Sequence, residues 1–268
     1  MTGNDEQPTI QQLFDLTGRA AMVTGASGYL GSAIAAALAE AGATVVVSSR
    51  DRERAAATAA NLPTVNGTAH IGVQLDHKDE DSIQTGFAEA IERSGGLDVL
   101  FNNGQGGSAD AWNDITAEGF NGQLANATGY FLLARLMRDH AVERNQPASI
   151  VMIGSMYGVV ASYPDAYEGL VPASSVGYHA LKGGVIHMTR HLAAYWAADG
   201  VRVNCLSPGP FPSEKANADM VERLKQKNPM KRMGLPYELK GPALLLASDA
   251  GSYITGQNLL VDGGWTAW

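Results

Sequence analysis

The sequence predicts an α/β fold, a doubly wound parallel sheet of about seven strands with helices on both faces. Two observations predict it. Short, continuously apolar runs alternate along the chain with longer segments of helical spacing, and the stretches rich in Gly, Asn and Ser fall just after the apolar runs. Strands buried on both faces read as unbroken apolar runs, and successive parallel strands need a crossover helix between them.

In order, strands are expected at Ala20–Thr24, Thr44–Ser48, His70–Leu75, Asp98–Phe101, Ser149–Ile153, Val201–Leu206 and Leu259–Val261. Helices are expected at Gly31–Ala41, Arg52–Asn61, Asp79–Arg93, Glu118–Arg144, Val176–Ala198 and Pro236–Leu246. No repeat, low-complexity tract or long Pro/Gly/Ser linker divides the chain, so residues 16–268 are expected to form one domain behind an N-terminal extension, 1–15.

Charged residues make up only 17% of the chain and the net charge is −8, which argues against a nucleic-acid surface, since that needs clustered Lys and Arg. Cys205 is the only cysteine, so neither an internal disulfide nor a Cys-rich zinc site is expected. The start of the chain lacks the basic and apolar regions of a secretory signal, and no run reaches the length of a membrane helix. These features point to a soluble, cytoplasmic protein without nucleic-acid or membrane partners.

The first strand runs into Gly25-Ala26-Ser27-Gly28-Tyr29-Leu30-Gly31 and then an Ala-rich helix. Gly25 permits a tight turn, Gly28 a close backbone approach and Gly31 close helix packing, while the helix start offers N–H groups to a pyrophosphate. A plain strand–turn–helix is the alternative. The pattern predicts a Rossmann-like dinucleotide site lined by Gly25, Ser27, Gly28, Tyr29, Leu30 and Gly31. The second strand ends in Ser49-Arg50, with no acidic residue to hold a ribose diol. A basic residue there suits a 2′-phosphate and favours NADP(H) over NAD(H). Arg50 could equally be one of several solvated arginines, since Arg52 and Arg54 follow it. Asp76 is placed beside the adenine or at a helix N-cap.

Tyr178 and Lys182 stand one helical turn apart. A free phenol titrates near ~10; an ammonium neighbour, with an oxidised nicotinamide, is expected to lower that value so that Tyr178 exchanges protons with a carbonyl or alcohol. Ser155, after the fifth strand, would polarise the substrate oxygen, or is a turn residue.

Together these residues resemble the short-chain dehydrogenase/reductase superfamily, in its single-domain branch. The resemblance extends from Leu16-Thr17-Gly18-Arg19 to Asp262-Gly263-Gly264. It implies catalytic roles for Ser155, Tyr178 and Lys182. Aligning Thr128-Gly129-Tyr130-Phe131 with a family helix gives Asn126 the role of holding a proton-relay water. It further implies cofactor contacts from His77, Asn103, Gly104, Pro208, Gly209, Phe211 and Ser213, and a homotetramer or dimer. The glycine spacing is instead that of the longer, epimerase-like branch. The segment 156–175 is longer than usual and is similar to the loop of gluconate- and sugar-type members. Tyr163, Asp165, Tyr167 or Glu168 is therefore expected to contact a sugar, polyol or sugar acid, with a surface or subunit-contact loop as the alternative.

His187 and His191 stand four residues apart without a third ligand, so no metal site is expected. The terminal Gly264-Trp265-Thr266-Ala267-Trp268 is expected on a neighbouring subunit or at the pocket rim. A non-catalytic dinucleotide-binding regulator and an epimerase or dehydratase are the competing functions. A sensor needs no acid–base pair, and epimerases of that type usually run longer.

Overall fold

A computed structural model describes residues 7–107 and 113–267; the start of the expected extension, residues 1–6, and Trp268 of the aromatic terminus lie outside them. Seven strands, β1 (Ala20–Thr24), β2 (Thr44–Ser49), β3 (Ile71–Gln74), β4 (Val99–Asn102), β5 (Ala148–Ile153), β6 (Val201–Pro208) and β7 (Asn258–Val261), form one sheet in the order β3-β2-β1-β4-β5-β6-β7. Every pairing is parallel. The described helices are α1 (Ile10–Phe14), α2 (Tyr29–Glu40), α3 (Arg52–Ala60), α4 (Glu80–Ser94), α5 (Ala117–Arg144), α6 (Pro164–Tyr167), α7 (Val176–Trp196), α8 (Ala218–Lys227) and α9 (Lys240–Ala247). None is long and apolar enough to cross a membrane.

The doubly wound expectation is met, and the period of two along each strand explains how. In β1, Ala20 and Met22 enter the core shared with α4, α5 and α7, whereas Ala21 and Val23 enter the core shared with α2 and α9. The strand order reverses direction between β1 and β4, which opens a crevice at their carboxyl ends. Thr24 and Asn103 fasten that edge. The Thr24 hydroxyl accepts the N–H groups of Asn103 (2.9 Å) and Gly104 (2.8 Å), and Asn103 Nδ2 donates to the carbonyls of Thr24 (2.9 Å) and Gly25 (3.1 Å).

Three differences from the expected elements have local causes. β3 is shorter at its start because the His70 ring bridges backbone groups there, accepting from Val45 N at 3.1 Å and donating to Pro63 O at 2.8 Å. The last long helix begins at Lys240 rather than Pro236, since Pro236–Leu239 forms a 3₁₀ turn. α1, α6 and α8 were not expected. α1 carries a Thr9/Gln12 capping box, and α8 is capped by Asn217 and buries Leu224.

Gly129 of α5 lies against the chain after β3: a Cβ there would fall 1.7 Å from the His77 carbonyl oxygen. Gly129→Ala is therefore expected to destabilise the protein by roughly 1–3 kcal/mol or more in chemical denaturation. Gly241→Ala, in α9 with nothing within 4 Å of the new Cβ, should be neutral or up to about 1 kcal/mol stabilising. Equal effects would contradict this packing.

Candidate active site

The crevice opens into a cleft of about 650 Å³. Its wall contains Gly25, Ser27, Gly28, Tyr29, Leu30 and Gly31 from the first turn, Ser49 and Arg50 after β2, and Asp76 and His77 after β3. Asn103 and Gly104 follow β4, Ser155 follows β5, Tyr178 and Lys182 come from α7, and Pro208, Gly209 and Phe211 continue from β6.

The first turn fits a phosphate group on two counts. Gly25 adopts φ +64°, and a Cβ on Gly31 would lie 2.4 Å from the Gly25 carbonyl oxygen, so the turn closes only without side chains at these places. Gly28 caps α2 with no side-chain hydrogen bond, leaving the positive end of a 12-residue helix beside the cleft.

The three arginines after β2 part company. Arg52 forms a fork with Glu89 through contacts of 2.8 and 2.9 Å, which holds Glu89 below the usual carboxylate range. Arg50 and Arg54 line the cleft, and neither pairs with a carboxylate among the described residues. Lys78 joins them on the wall, donating to the Gly122 carbonyl at 2.7 Å. Arg54 and Lys78 were missed in the sequence. A helical register from the Asp51 cap separates Arg54 from Arg52, whereas Lys78 carried no motif. The helix-cap alternative for Asp76 falls to Asp79, whose carboxylate accepts from Ser82 N at 2.7 Å. Asp76 accepts from Lys78 N instead, at 3.0 Å.

Ser155, Tyr178 and Lys182 meet at the inner end of the cleft. Ser155 is buried, and its hydroxyl accepts from Tyr157 N at 3.1 Å. Lys182 is only 2% exposed and donates to the Ile153 carbonyl at 2.7 Å, with its Nζ 5.6 Å from the centre of the Tyr178 ring. The expected acidity of the phenol is not a property of the chain alone. Burial raises the Tyr178 pKa, hydrogen bonding to Ser155 draws it back, and Lys182 is itself pushed down to about 8 by burial.

Asn126 lies outside the cleft wall. Its Oδ1 accepts from His77 Nε2 (2.8 Å) and Gly106 N (2.9 Å), while Nδ2 donates to the carbonyls of Gly106 (2.8 Å) and Gln123 (2.7 Å). That amide has its hydrogen-bonding capacity taken up in holding α5 to the loops after β3 and β4, a link not foreseen from the sequence. Burial holds His77 below its ordinary pKa, in keeping with a neutral ring that donates from Nε2. Ser213 also falls off the wall, because the chain turns away after Phe211 and its carbonyl accepts from Ala216 N at 2.9 Å.

The residues of the long loop expected to contact the substrate do not line this cleft, and they are held by partners within the chain. Tyr163 packs edge-on against Trp265 at 5.4 Å, and the Tyr167 and Tyr157 hydroxyls meet at 2.6 Å. Asp165 pairs with Lys227 at 2.5 Å, and Arg223 binds the carbonyls of Asp165 and Glu168, so α6 is tied to α8. Glu168 is exposed and is not among the residues lining the cleft. The cause is apolar: Met156, Tyr157, Ala166, Leu224 and Trp265 form their own buried cluster, with Tyr163, Tyr167 and Tyr178 packed at its edge. Trp265, 1% exposed, is thus an interior residue of this chain and not a rim or subunit contact.

Comparison with known proteins gives the family. A profile described as Enoyl-(Acyl carrier protein) reductase matches residues 25–266. Glucose 1-dehydrogenase 2 of Bacillus subtilis (strain 168) is 32% identical over 260 residues, covering 95% of this chain and 97% of that protein. Galactitol 2-dehydrogenase (L-tagatose-forming) of Cereibacter sphaeroides is 36% identical over 262 residues, covering 96% and 98%. The crystal structure of a gluconate 5-dehydrogenase from Burkholderia cenocepacia J2315, in complex with NADP and tartrate, superposes with a TM-score of 0.86 at 30% identity, covering 96% and 99%. The chain belongs to the short-chain dehydrogenase/reductase family of oxidoreductases.

The burial of Lys182 has a measurable consequence. Between about 8 and 10.5 the unfolded lysine keeps a proton that the folded one has released, so the unfolded chain binds more protons and stability rises with pH across that window. Relative to Lys182→Met, the native chain should gain up to about 3 kcal/mol there in denaturant titrations. A flat difference would contradict the buried ammonium.

Proposed function

We propose that this chain is an NADP(H)-dependent oxidoreductase that interconverts a secondary alcohol and a ketone on a sugar, polyol or sugar acid. The observation that carries the reading is one cleft with two jobs. Its outer end presents Arg50 and Arg54 beside the phosphate-binding turn, and its inner end gathers Ser155, Tyr178 and Lys182. The substrate class follows from what the relatives are named for, glucose and galactitol oxidation among them.

The residues divide the work as follows. The backbone of Gly25–Gly31 and the start of α2 hold the pyrophosphate, Arg50 and Arg54 take the 2′-phosphate, and Asp76, Asn103 and Gly104 flank the adenosine. Pro208, Gly209 and Phe211 support the nicotinamide end. Bound there, the dinucleotide supplies the hydride and, when oxidised, a positive ring. Ser155 donates to the substrate oxygen, Tyr178 gives it a proton in reduction or removes one in oxidation, and Lys182 stabilises the phenolate left behind. The phenol of the chain alone is not acidic, so its activation belongs to the loaded cleft, where the cationic ring adds to Lys182. The single buried thiol of Cys205 suits a cytoplasmic, reducing location. We assign residues 16–268 to one domain and expect a dimer or tetramer.

Fluorescence titration with NADPH and NADH tests the cofactor. NADPH should bind more tightly, and replacing Arg50 and Arg54 with Ala should cost ten-fold or more in NADPH affinity with little change for NADH. Arg52→Ala, whose partner is Glu89, should change neither. A native preference for NADH would overturn the assignment. A panel of polyols, ketoses and sugar acids, followed by absorbance of the reduced dinucleotide, tests the substrate class, and activity confined to other compounds would exclude it.

A further inference from the structure

Placing Lys182 inside the protein raises a question that the proposed relay leaves open, namely what holds its charge there. A buried ammonium loses its hydration and needs replacement partners. Lys182 Nζ has one hydrogen bond to a described residue, the 2.7 Å contact with the Ile153 carbonyl. Two aromatic rings also lie near it. The centre of the Tyr178 ring lies 5.6 Å away on its own helix, and that of the Tyr130 ring 5.7 Å away on α5. Both distances fall within the range over which a ring face attracts a cation.

Tyr130 is held firmly. It is 1% exposed, and its carbonyl accepts from Asn102 Nδ2 at 3.0 Å. The preceding Gly129 sits against the His77 carbonyl. The Tyr130 hydroxyl, though buried, has no hydrogen-bond partner among the described residues, so what this side chain offers the ammonium is its ring. We propose that Tyr130 is a positioning residue whose ring face, presented from α5, holds the amino group of Lys182 in its charged form beside Tyr178. The inference rests on the reading of Lys182 as part of the proton relay.

Of the other groups facing Lys182, Cys205 opposes the effect of burial when it is charged. β5 presents a neutral carbonyl, from Ile153. β6 presents Cys205, whose thiol burial pushes upward, so it stays protonated near neutrality; Tyr178 is likewise pushed upward by burial. A ring that attracts the cation opposes the burial that would discharge it.

The test is a direct titration of Lys182 in the full chain. The protein is labelled with [13Cε]lysine, and the resonance is assigned by its loss in Lys182→Met. Midpoints are compared for the native chain, for Tyr130→Phe, and for pentafluorophenylalanine at position 130, which keeps a ring but reverses the charge distribution of its face. The native and Phe proteins should titrate together, with the fluorinated ring lowering the midpoint by about one pH unit. A fluorinated ring that leaves the midpoint unchanged from Phe overturns the inference, as does a Phe protein already shifted as far. The relay reading stands or falls separately: turnover by Lys182→Met at the native rate would defeat it without moving any midpoint in this series.

Discussion

An ammonium group leaves water only where something else meets its charge, and the interior end of this cleft is organised around that requirement. Lys182 reaches the Ile153 carbonyl at the end of β5 and lies between two tyrosine rings, one from α7 and one from α5. Meeting those partners at once brings α5, α7 and the end of β5 together, and Ser155 follows directly from that strand end. The proposed relay is thus a consequence of how a cation is buried. Its three members come from two stretches of chain, Ser155 just after β5 and Tyr178 with Lys182 on α7, and the packing of α7 against that strand brings them together.

The same sheet explains why this chemistry sits beside a dinucleotide-shaped cleft. The reversal of strand order between β1 and β4 leaves a crevice that the Thr24 and Asn103 side chains hold through hydrogen bonds to the backbone, where a Cβ on Gly31 would foul the turn. His77 and Asn126 add a second fastening, tying the loops after β3 and β4 to α5, the helix that carries Tyr130. The proposed cofactor end and the proposed relay end therefore share one wall, which suits a reaction needing hydride and proton delivered to fixed positions.

Much of this was legible in the amino-acid order. Apolar runs located the strands because both faces of a parallel sheet are buried, and Gly25, Gly28 and Gly31 marked a turn that excludes side chains. What escaped depended on packing between distant segments. Arg50, Arg52 and Arg54 look alike without a helical register; the Asp51 cap sets Arg52 and Arg54 on different sides of α3, and Glu89 on α4 pairs with Arg52. Tyr163, Tyr167 and Asp165 suggested substrate contacts through the loop's similarity to sugar-type members, and Trp265 and Lys227, far along the chain, also engage Tyr163 and Asp165. Ser213 and Asn126 were placed by family pattern; neither lines the cleft, Ser213 lying in a local turn and the Asn126 amide bonded to the wall residues His77 and Gly106 from behind. The acidity expected of Tyr178 weighed a nearby charge but not the burial of phenol and ammonium together. α8 was overlooked because a mostly exposed helix buries only Leu224.

The central claim is that the Tyr178 phenol exchanges the proton while the rest of the cleft binds the dinucleotide. Steady-state turnover and dinucleotide affinity of Tyr178→Phe, measured side by side, address it most directly. Loss of the phenolic proton should lower turnover by roughly 10²–10⁴-fold while leaving dinucleotide binding within a few-fold of native. Turnover preserved in the Phe protein would contradict the account.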